Sequence, residues 1–165
     1  MAIVHYTGDV LQSGANVIAH QVNCKGVMGA GIALQIRQRY PHVFSAYRSV
    51  CRKSTSEDLL GKIQPCLCGG ASERWVVNCF AQTGYGTDTV QTDYAALESC
   101  MTKLRDWAIF NSHKQIAIPF GIGCGLAGGS WDVVSGILAR VFNDNRVVLE
   151  IWKLPNNKRT GGYHR

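Results

Sequence analysis

The feature that most restricts the fold is a strand that runs into a glycine-rich loop and then into a helix, and it occurs twice. In the second copy Gln115 to Phe120 reads as a strand and Gly121-Ile-Gly-Cys-Gly-Leu-Ala-Gly-Gly129 follows it. Ser130 is placed to cap the next helix, whose apolar face is Val134, Ile137, Leu138 and Val141. In the first copy Asn16 to Val22 is the strand, Asn23-Cys-Lys-Gly-Val-Met-Gly-Ala-Gly31 the loop, and Ile32 to Tyr40 the helix. Strands alternating with helices bury their apolar faces best as a sheet covered on both sides. The fold class expected is therefore α/β, a three-layer α/β/α arrangement with a mixed, mostly parallel sheet.

The remaining segments fit that plan. Ile3 to Tyr6 reads as a first strand closed by a Gly8-Asp9 turn. Pro41 suits the first turn of a helix that continues through Val43, Phe44, Tyr47 and Val50. Lys53 to Asp58 reads as a polar linker, and Lys62 to Cys68 as an edge strand because Pro65 interrupts it. Gly69 to Glu73 reads as a turn, Trp75 to Ala81 as a strand, and Thr83 to Gln91 as a further polar loop with Gly84 and Gly86. Thr92 is expected to cap a long helix whose apolar face is Tyr94, Leu97, Met101, Leu104 and Ala108. Arg146 to Trp152 is the last strand. Residues 1–154 are read as one domain and 155–165 as a basic tail.

Composition bounds the function. With 46 % hydrophobic and 17 % charged residues the chain is globular. No apolar run reaches the length that spans a bilayer and no signal-peptide pattern opens the sequence, so a cytoplasmic or nuclear location without membrane partners is expected. Seven scattered cysteines do not form a secreted disulfide framework. Cys66 and Cys68 have no second pair at zinc spacing, and no metal or cofactor is expected. The net charge is +6, and the stretch from Lys153 to Arg165 holds four cations and no acid. The body then looks nearly neutral, so nucleic acid is expected to be touched by the tail or not at all.

Both glycine-rich loops sit where ligands bind in such sheets, beyond the carboxyl ends of strands. Successive amides ahead of a helix make an anion nest that the helix dipole strengthens. Neither loop centre holds a lysine or arginine, so phosphate would be held by backbone N–H groups. A Walker A loop is absent. Gly123-Cys-Gly-Leu-Ala-Gly128 matches G-x-G-x-x-G, but only 37 residues follow Gly128, too few for the usual dinucleotide fold opened by that fingerprint.

With these positions established, the chain resembles macro domains of the type that processes ADP-ribose 1''-phosphate. The resemblance rests on Gly8-Asp-Val10, on Val17-Ile-Ala-His-Gln-Val-Asn-Cys24, on Gly26-Val-Met-Gly-Ala-Gly-Ile-Ala33 with Tyr40-Pro41, and on Ile118-Pro-Phe-Gly-Ile-Gly-Cys-Gly-Leu-Ala127 with Trp131. It implies that Asp9 accepts from the adenine amino group, with Val10 beside it. A carboxylate only accepts, which suits that donor, although a turn residue capping nearby amides would look the same. Asn23 would hydrogen-bond the distal ribose, and Val27, Met28, Gly29, Ala30, Gly31 and Ile32 would wrap that ribose and one phosphate. Pro119, Gly121 and Ile122 would shape the second loop, with Gly123, Cys124, Gly125, Leu126 and Ala127 at the diphosphate. Trp152 and Leu154 would flank the adenine, unless Trp152 is a core residue.

The resemblance implies less about catalysis. Known hydrolases of the family use a lysine in the loop after the fourth family strand, and some an aspartate directly after G-C-G-L. Here Gly84 lies near the first position and Ala127 occupies the second, while no acid falls between Cys24 and Tyr40. His20 is the candidate acid or base, against a structural role inside its strand. Cys124 is either a nucleophile activated by a helix N-terminus or a small residue that lets phosphate approach. Two functions follow: hydrolysis of ADP-ribose 1''-phosphate or a related ADP-ribosyl ester, or reading of ADP-ribose, free or on macromolecules, without chemistry.

Overall fold

A computed structural model describes residues 2–69 and 73–155. The elements are β1 (Ile3–Thr7), β2 (Val17–Asn23), α1 (Gly31–Arg39), α2 (Pro41–Lys53), α3 (Ser56–Leu59), β3 (Ile63–Leu67), β4 (Trp75–Gln82), α4 (Tyr94–Phe110), β5 (Gln115–Pro119), α5 (Trp131–Val141) and β6 (Val148–Lys153). The sheet order is β1-β6-β5-β2-β4-β3. Every pairing is parallel except β3 with β4, which is antiparallel. Pro65 lies on that edge strand, where a missing N–H does not break an interior ladder.

Side chains alternate across each strand, so the two faces build separate cores. On one face Val17, Ala19, Val77, Cys79, Ile116, Ile118, Leu149 and Ile151 pack against Leu97, Met101 and Leu104 of α4 and Val134, Ile137 and Leu138 of α5. On the other, Ile18, Val76 and Ala117 meet Ile36 of α1 and Val43 of α2. Beside them Val22 and Phe80 meet Tyr47 and Leu59. The three layers and the mixed sheet are thus as the sequence predicts.

Three local expectations change. The polar linker contains α3, nucleated by a capping box in which Thr55 accepts from the Asp58 amide and Asp58 from the Thr55 amide. Asp93 caps α4 by accepting from the Ala96 amide at 2.9 Å, because the Thr92 hydroxyl donates instead to the Gly123 carbonyl at 2.6 Å. Ser130 occupies the N-cap of α5, but its side chain makes no capping bond. The turn read at Gly69 to Glu73 lies partly outside the described residues, as does the tail from residue 156 onward.

Candidate functional site

The carboxyl ends of β1, β2, β5 and β6 open into a cleft of about 690 Å³, within the size range of small-molecule sites. Three loops wall it: the 8–10 turn, the first glycine-rich loop, and the second glycine-rich loop. Tyr85 and Gly86 from the loop after β4 reach it as well. Asp9, Val10, Asn23, Val27, Gly29, Ala30, Gly31, Ile32, Pro119, Gly121, Ile122, Gly123, Gly125, Leu126, Ala127, Trp152 and Leu154 all line it.

The end bearing Asp9 is built around a buried carboxylate. Glu150 Oε1 accepts from the Ser13 hydroxyl at 2.6 Å and from the Trp152 indole Nε1 at 2.9 Å. Trp152 also stacks on Tyr6, with ring centroids 4.8 Å apart. A Cβ on Gly8 would come within 3.1 Å of the Trp152 ring, so glycine there makes room for the indole. Asp9 Oδ1 accepts from the Leu11 amide at 2.9 Å and caps the 3-10 turn Val10–Gln12. Asp9 thus caps a turn and lines the cleft, and a carboxylate has acceptor capacity left for a ligand donor.

The first loop is held from within by Asn23. Its Oδ1 accepts from the Lys25 amide at 2.9 Å and the Val27 amide at 3.3 Å, and Tyr47 Oη donates to it at 2.7 Å. Its Nδ2 donates to the Val27 carbonyl at 2.8 Å. The Asn23 oxygen is therefore spent on the loop, and of the side chain expected to meet a ribose only an Nδ2 hydrogen remains for a ligand. Met28 is corrected too: it is fully buried with Val22, Tyr47 and Phe80 and pins the loop from behind. Ala30 begins α1 with no side-chain cap and no acid in the first turn, which leaves the N-terminal amides of α1 for a ligand.

In the second loop the left-handed backbone of Gly121 (φ 78°) and Gly123 (φ 76°) turns the chain back on itself. The Cys124 amide bonds the Gly121 carbonyl at 2.7 Å, and the Gly129 amide bonds the Gly123 carbonyl at 2.8 Å. The amides of Gly123, Gly125 and Leu126 take no partner among the described residues. Three unpaired N–H groups on residues that line a cleft are a receptor for oxyanions. Cys124 is not part of the lining. Its thiol donates to the Ile122 carbonyl at 3.5 Å, and burial pushes its pKa up rather than down, against a nucleophile.

His20 is the main correction. It is fully buried, in register with Asn78 on β4, which is in register with Gln64 on β3. Nε2 lies 2.6 Å from Asn78 Oδ1, and Asn78 Nδ2 donates to Gln64 Oε1 at 3.0 Å. His20 is the start of a polar row across the sheet, outside the cleft lining, and burial lowers its pKa to about 4. Its neighbour Gln21 does line the cleft, as do Val22 and Asn23 at the end of the same strand. Gln21 Nε2 donates to Gln82 Oε1 and to Thr92 Oγ1, both at 2.9 Å, while Gln21 Oε1 is buried without a partner among the described residues. Sequence reasoning passed over Gln21, Gln82, Tyr85, Phe120 and Lys153, all in the lining. Period-two alternation was the available signal for Gln21, since it puts residues 20 and 21 on opposite faces. Lys153 is the one lysine or arginine among the lining residues, and its Nζ lies 4.6 Å from the Phe120 ring centroid.

Residues 19–138 match the family model described as Macro domain. The DNA ADP-ribosyl glycohydrolase of Mycobacterium tuberculosis is 43 % identical over 61 residues, covering 37 % of this chain and 17 % of that protein. The ADP-ribose 1''-phosphate phosphatase of Saccharomyces cerevisiae is 42 % identical over 62 residues, covering 36 % of this chain and 34 % of that protein. Each match thus takes in about a third or less of the relative's length. The macrodomain of Mycobacterium tuberculosis DarG superposes with a TM-score of 0.79 at 26 % identity, over 93 % of this chain and 98 % of that one.

Proposed function

The chain belongs to the macro domain family, and from that premise we propose that its cleft binds ADP-ribose and ADP-ribose derivatives. The adenine lies between Asp9 and Trp152, the diphosphate on the free amides of the second loop, and the distal ribose against Asn23 and the start of α1. The observation that carries this reading is the three unpaired amides of Gly123, Gly125 and Leu126, on residues lining a cleft that Asp9, an acceptor-only carboxylate, also lines. Diphosphate and aminopurine are complementary to those two features. Calorimetry with ADP-ribose tests it. Saturable binding that falls on Asp9→Ala is expected; no heat at millimolar ligand overturns the reading.

Hydrolysis of ADP-ribose 1''-phosphate, or of a related ADP-ribosyl ester, is the second reading. It is favoured by the names of the relatives, a glycohydrolase and a phosphatase. Against it stands the side-chain chemistry of the cleft, whose lining includes no histidine, and whose one carboxylate, Asp9, belongs to the adenine end. Catalysis here would rest on backbone amides stabilising charge on the leaving phosphate. Phosphate release from ADP-ribose 1''-phosphate above the protein-free rate establishes the phosphatase reading; its absence leaves a reader of ADP-ribose.

A further inference from the structure

One charge in the cleft has no partner in the ligand assigned to it. Lys153, at the end of β6 and next to Trp152, is the one lysine or arginine among the lining residues. The oxyanion receptor is made of backbone amides on the second loop, so the diphosphate does not require this ammonium.

Connectivity says which part of the ligand comes near it. In ADP-ribose the adenosine ribose joins the adenine to the diphosphate. With the adenine beside Trp152 and the diphosphate on the second loop, that ribose lies on the residues that connect the two, Pro119 and Phe120. Pro119 is in register with Trp152 across β5 and β6. The Phe120 amide donates to the Trp152 carbonyl at 2.8 Å, and Gly121 opens the loop directly after it. Both Pro119 and Phe120 line the cleft.

Lys153 is held at that same place. Its Nζ lies 4.6 Å from the Phe120 ring centroid, where the ring face attracts an ammonium. Phe120 is braced in turn by Trp131 at the start of α5, with ring centroids 4.6 Å apart. The Lys153 carbonyl accepts from the Gly8 amide at 2.8 Å, which ties its backbone to the adenine end. A lysine that already rests on a ring loses less side-chain freedom when it meets an anion than one in open solvent. Nor is its charge spent on an acid. Lys153 has no ion pair among the described residues, and Asp9, the one carboxylate of the lining, accepts from the Leu11 amide instead. An ammonium has three N–H donors, more than one ring face can take. Phe120 is 37 % exposed and Lys153 is exposed, so a ligand group can reach both.

Resting on the ADP-ribose reading of the cleft, we propose that Lys153 and Phe120 form a subsite for a phosphoryl group on the adenosine ribose, which extends the ligand class to ADP-ribose 2'-phosphate. ADP-ribose itself offers only hydroxyl groups there, and a charge-assisted bond to a phosphoryl oxygen is the stronger use of a positioned ammonium. Dinucleotide sites that take a 2'-phosphate place a cation beside the ribose for the same reason. Phe120 is the floor under the sugar and Lys153 the donor at its edge. The reaction that supplies such a ligand is the removal or transfer of the base from a dinucleotide phosphorylated on its adenosine ribose.

The test is calorimetry of the full chain with ADP-ribose and with ADP-ribose 2'-phosphate, each at low and high salt. At low salt the 2'-phosphate binds about tenfold tighter, and the ratio of the two affinities shrinks as salt screens the exposed ammonium. Lys153→Met brings the ratio to about one, Lys153→Arg keeps it above one, and Phe120→Leu, which removes the ring under the ammonium, lowers it. Lys153→Gln repeats the neutral case with a polar side chain and guards against misfolding of the methionine variant. The inference is overturned if the parent binds both ligands equally at low salt. It is also overturned if Lys153→Met weakens both ligands alike and leaves the ratio unchanged, which would put the ammonium on the diphosphate. Binding of NADP as tight as that of ADP-ribose 2'-phosphate overturns the ligand class, because the first loop would then not read a free distal ribose. Failure of the parent to bind either ligand removes the cleft reading; binding of ADP-ribose with no gain from the 2'-phosphate removes this inference alone.

Discussion

Replacing Gly123 by alanine separates the two reasons a phosphate loop uses glycine, conformation and ligand approach. Gly123 sits at φ 76°, where an L-residue costs about 1 kcal/mol. The added Cβ would lie 2.9 Å from Gln21 Oε1 and 3.2 Å from Thr92 Oγ1. Gln21 cannot simply swing away, because its Nε2 is tied to Gln82 and Thr92. Losing one of those bonds costs about 1 kcal/mol more. The total is about 2 kcal/mol, which lowers the melting temperature of a chain this size by about 4–8 °C. Gly125→Ala is the counterpart. Its Cβ meets nothing within 4 Å and its φ is not left-handed, so stability changes by less than about 0.5 kcal/mol. Gly125 lines the cleft, however, so the methyl group stands where the diphosphate approaches and ADP-ribose binding weakens. Circular dichroism melts read the first effect and calorimetry the second. A Gly123→Ala protein as stable as the parent refutes the packing argument. A Gly125→Ala protein that binds ADP-ribose like the parent refutes close backbone approach at this loop.

Further outcomes follow from the same contacts. Asp9→Asn keeps an oxygen for the Leu11 amide but loses the charge, so ADP-ribose affinity falls by about tenfold or more while ribose 5-phosphate affinity, read in the same calorimeter, does not change. Glu150→Ala removes the acceptor of both Ser13 and Trp152; the indole loses its anchor, and quenching of tryptophan fluorescence by ADP-ribose is diminished. Burial lowers the His20 pKa from 6.5 to about 4, so the unfolded chain binds the proton first. Stability from this residue is complete above pH 6.5 and is lost as pH falls toward 4, by about 3 kcal/mol in all. Melting temperatures of His20→Gln measured over that range fall less steeply than those of the parent, and equal slopes contradict the neutral buried state.

The alternation of strands and helices was legible because apolar periods change from two to three or four along the chain, and both glycine-rich loops announced themselves between such periods. What escaped depended on partners distant in sequence. Thr92 and Asp93 are equally good caps by type, and only the Gly123 carbonyl, folded back by a left-handed glycine, decides that Thr92 bonds the second loop and Asp93 caps α4. Met28 sits among glycines and reads as a ligand contact, yet Tyr47 and Phe80 enclose it. Asn23 reads as a ribose contact, and its four hydrogen bonds to Lys25, Val27 and Tyr47 make it the brace of the first loop as well. Thr55 and Asp58 did carry a local signal, the capping-box spacing, inside a stretch whose polarity suggested a linker. The charge count averages as well: taken over a tail and a body it does not show that the segment from Cys24 to Thr55 holds six cations and no acid.

The most direct test of the account is a crystal structure of the chain with ADP-ribose. The account predicts the adenine amino group at Asp9, the ring beside Trp152, and diphosphate oxygens on the Gly123, Gly125 and Leu126 amides, with the distal ribose at Asn23 Nδ2 and the first turn of α1. A nucleotide bound outside this cleft, or within it with the diphosphate off the second loop, contradicts it.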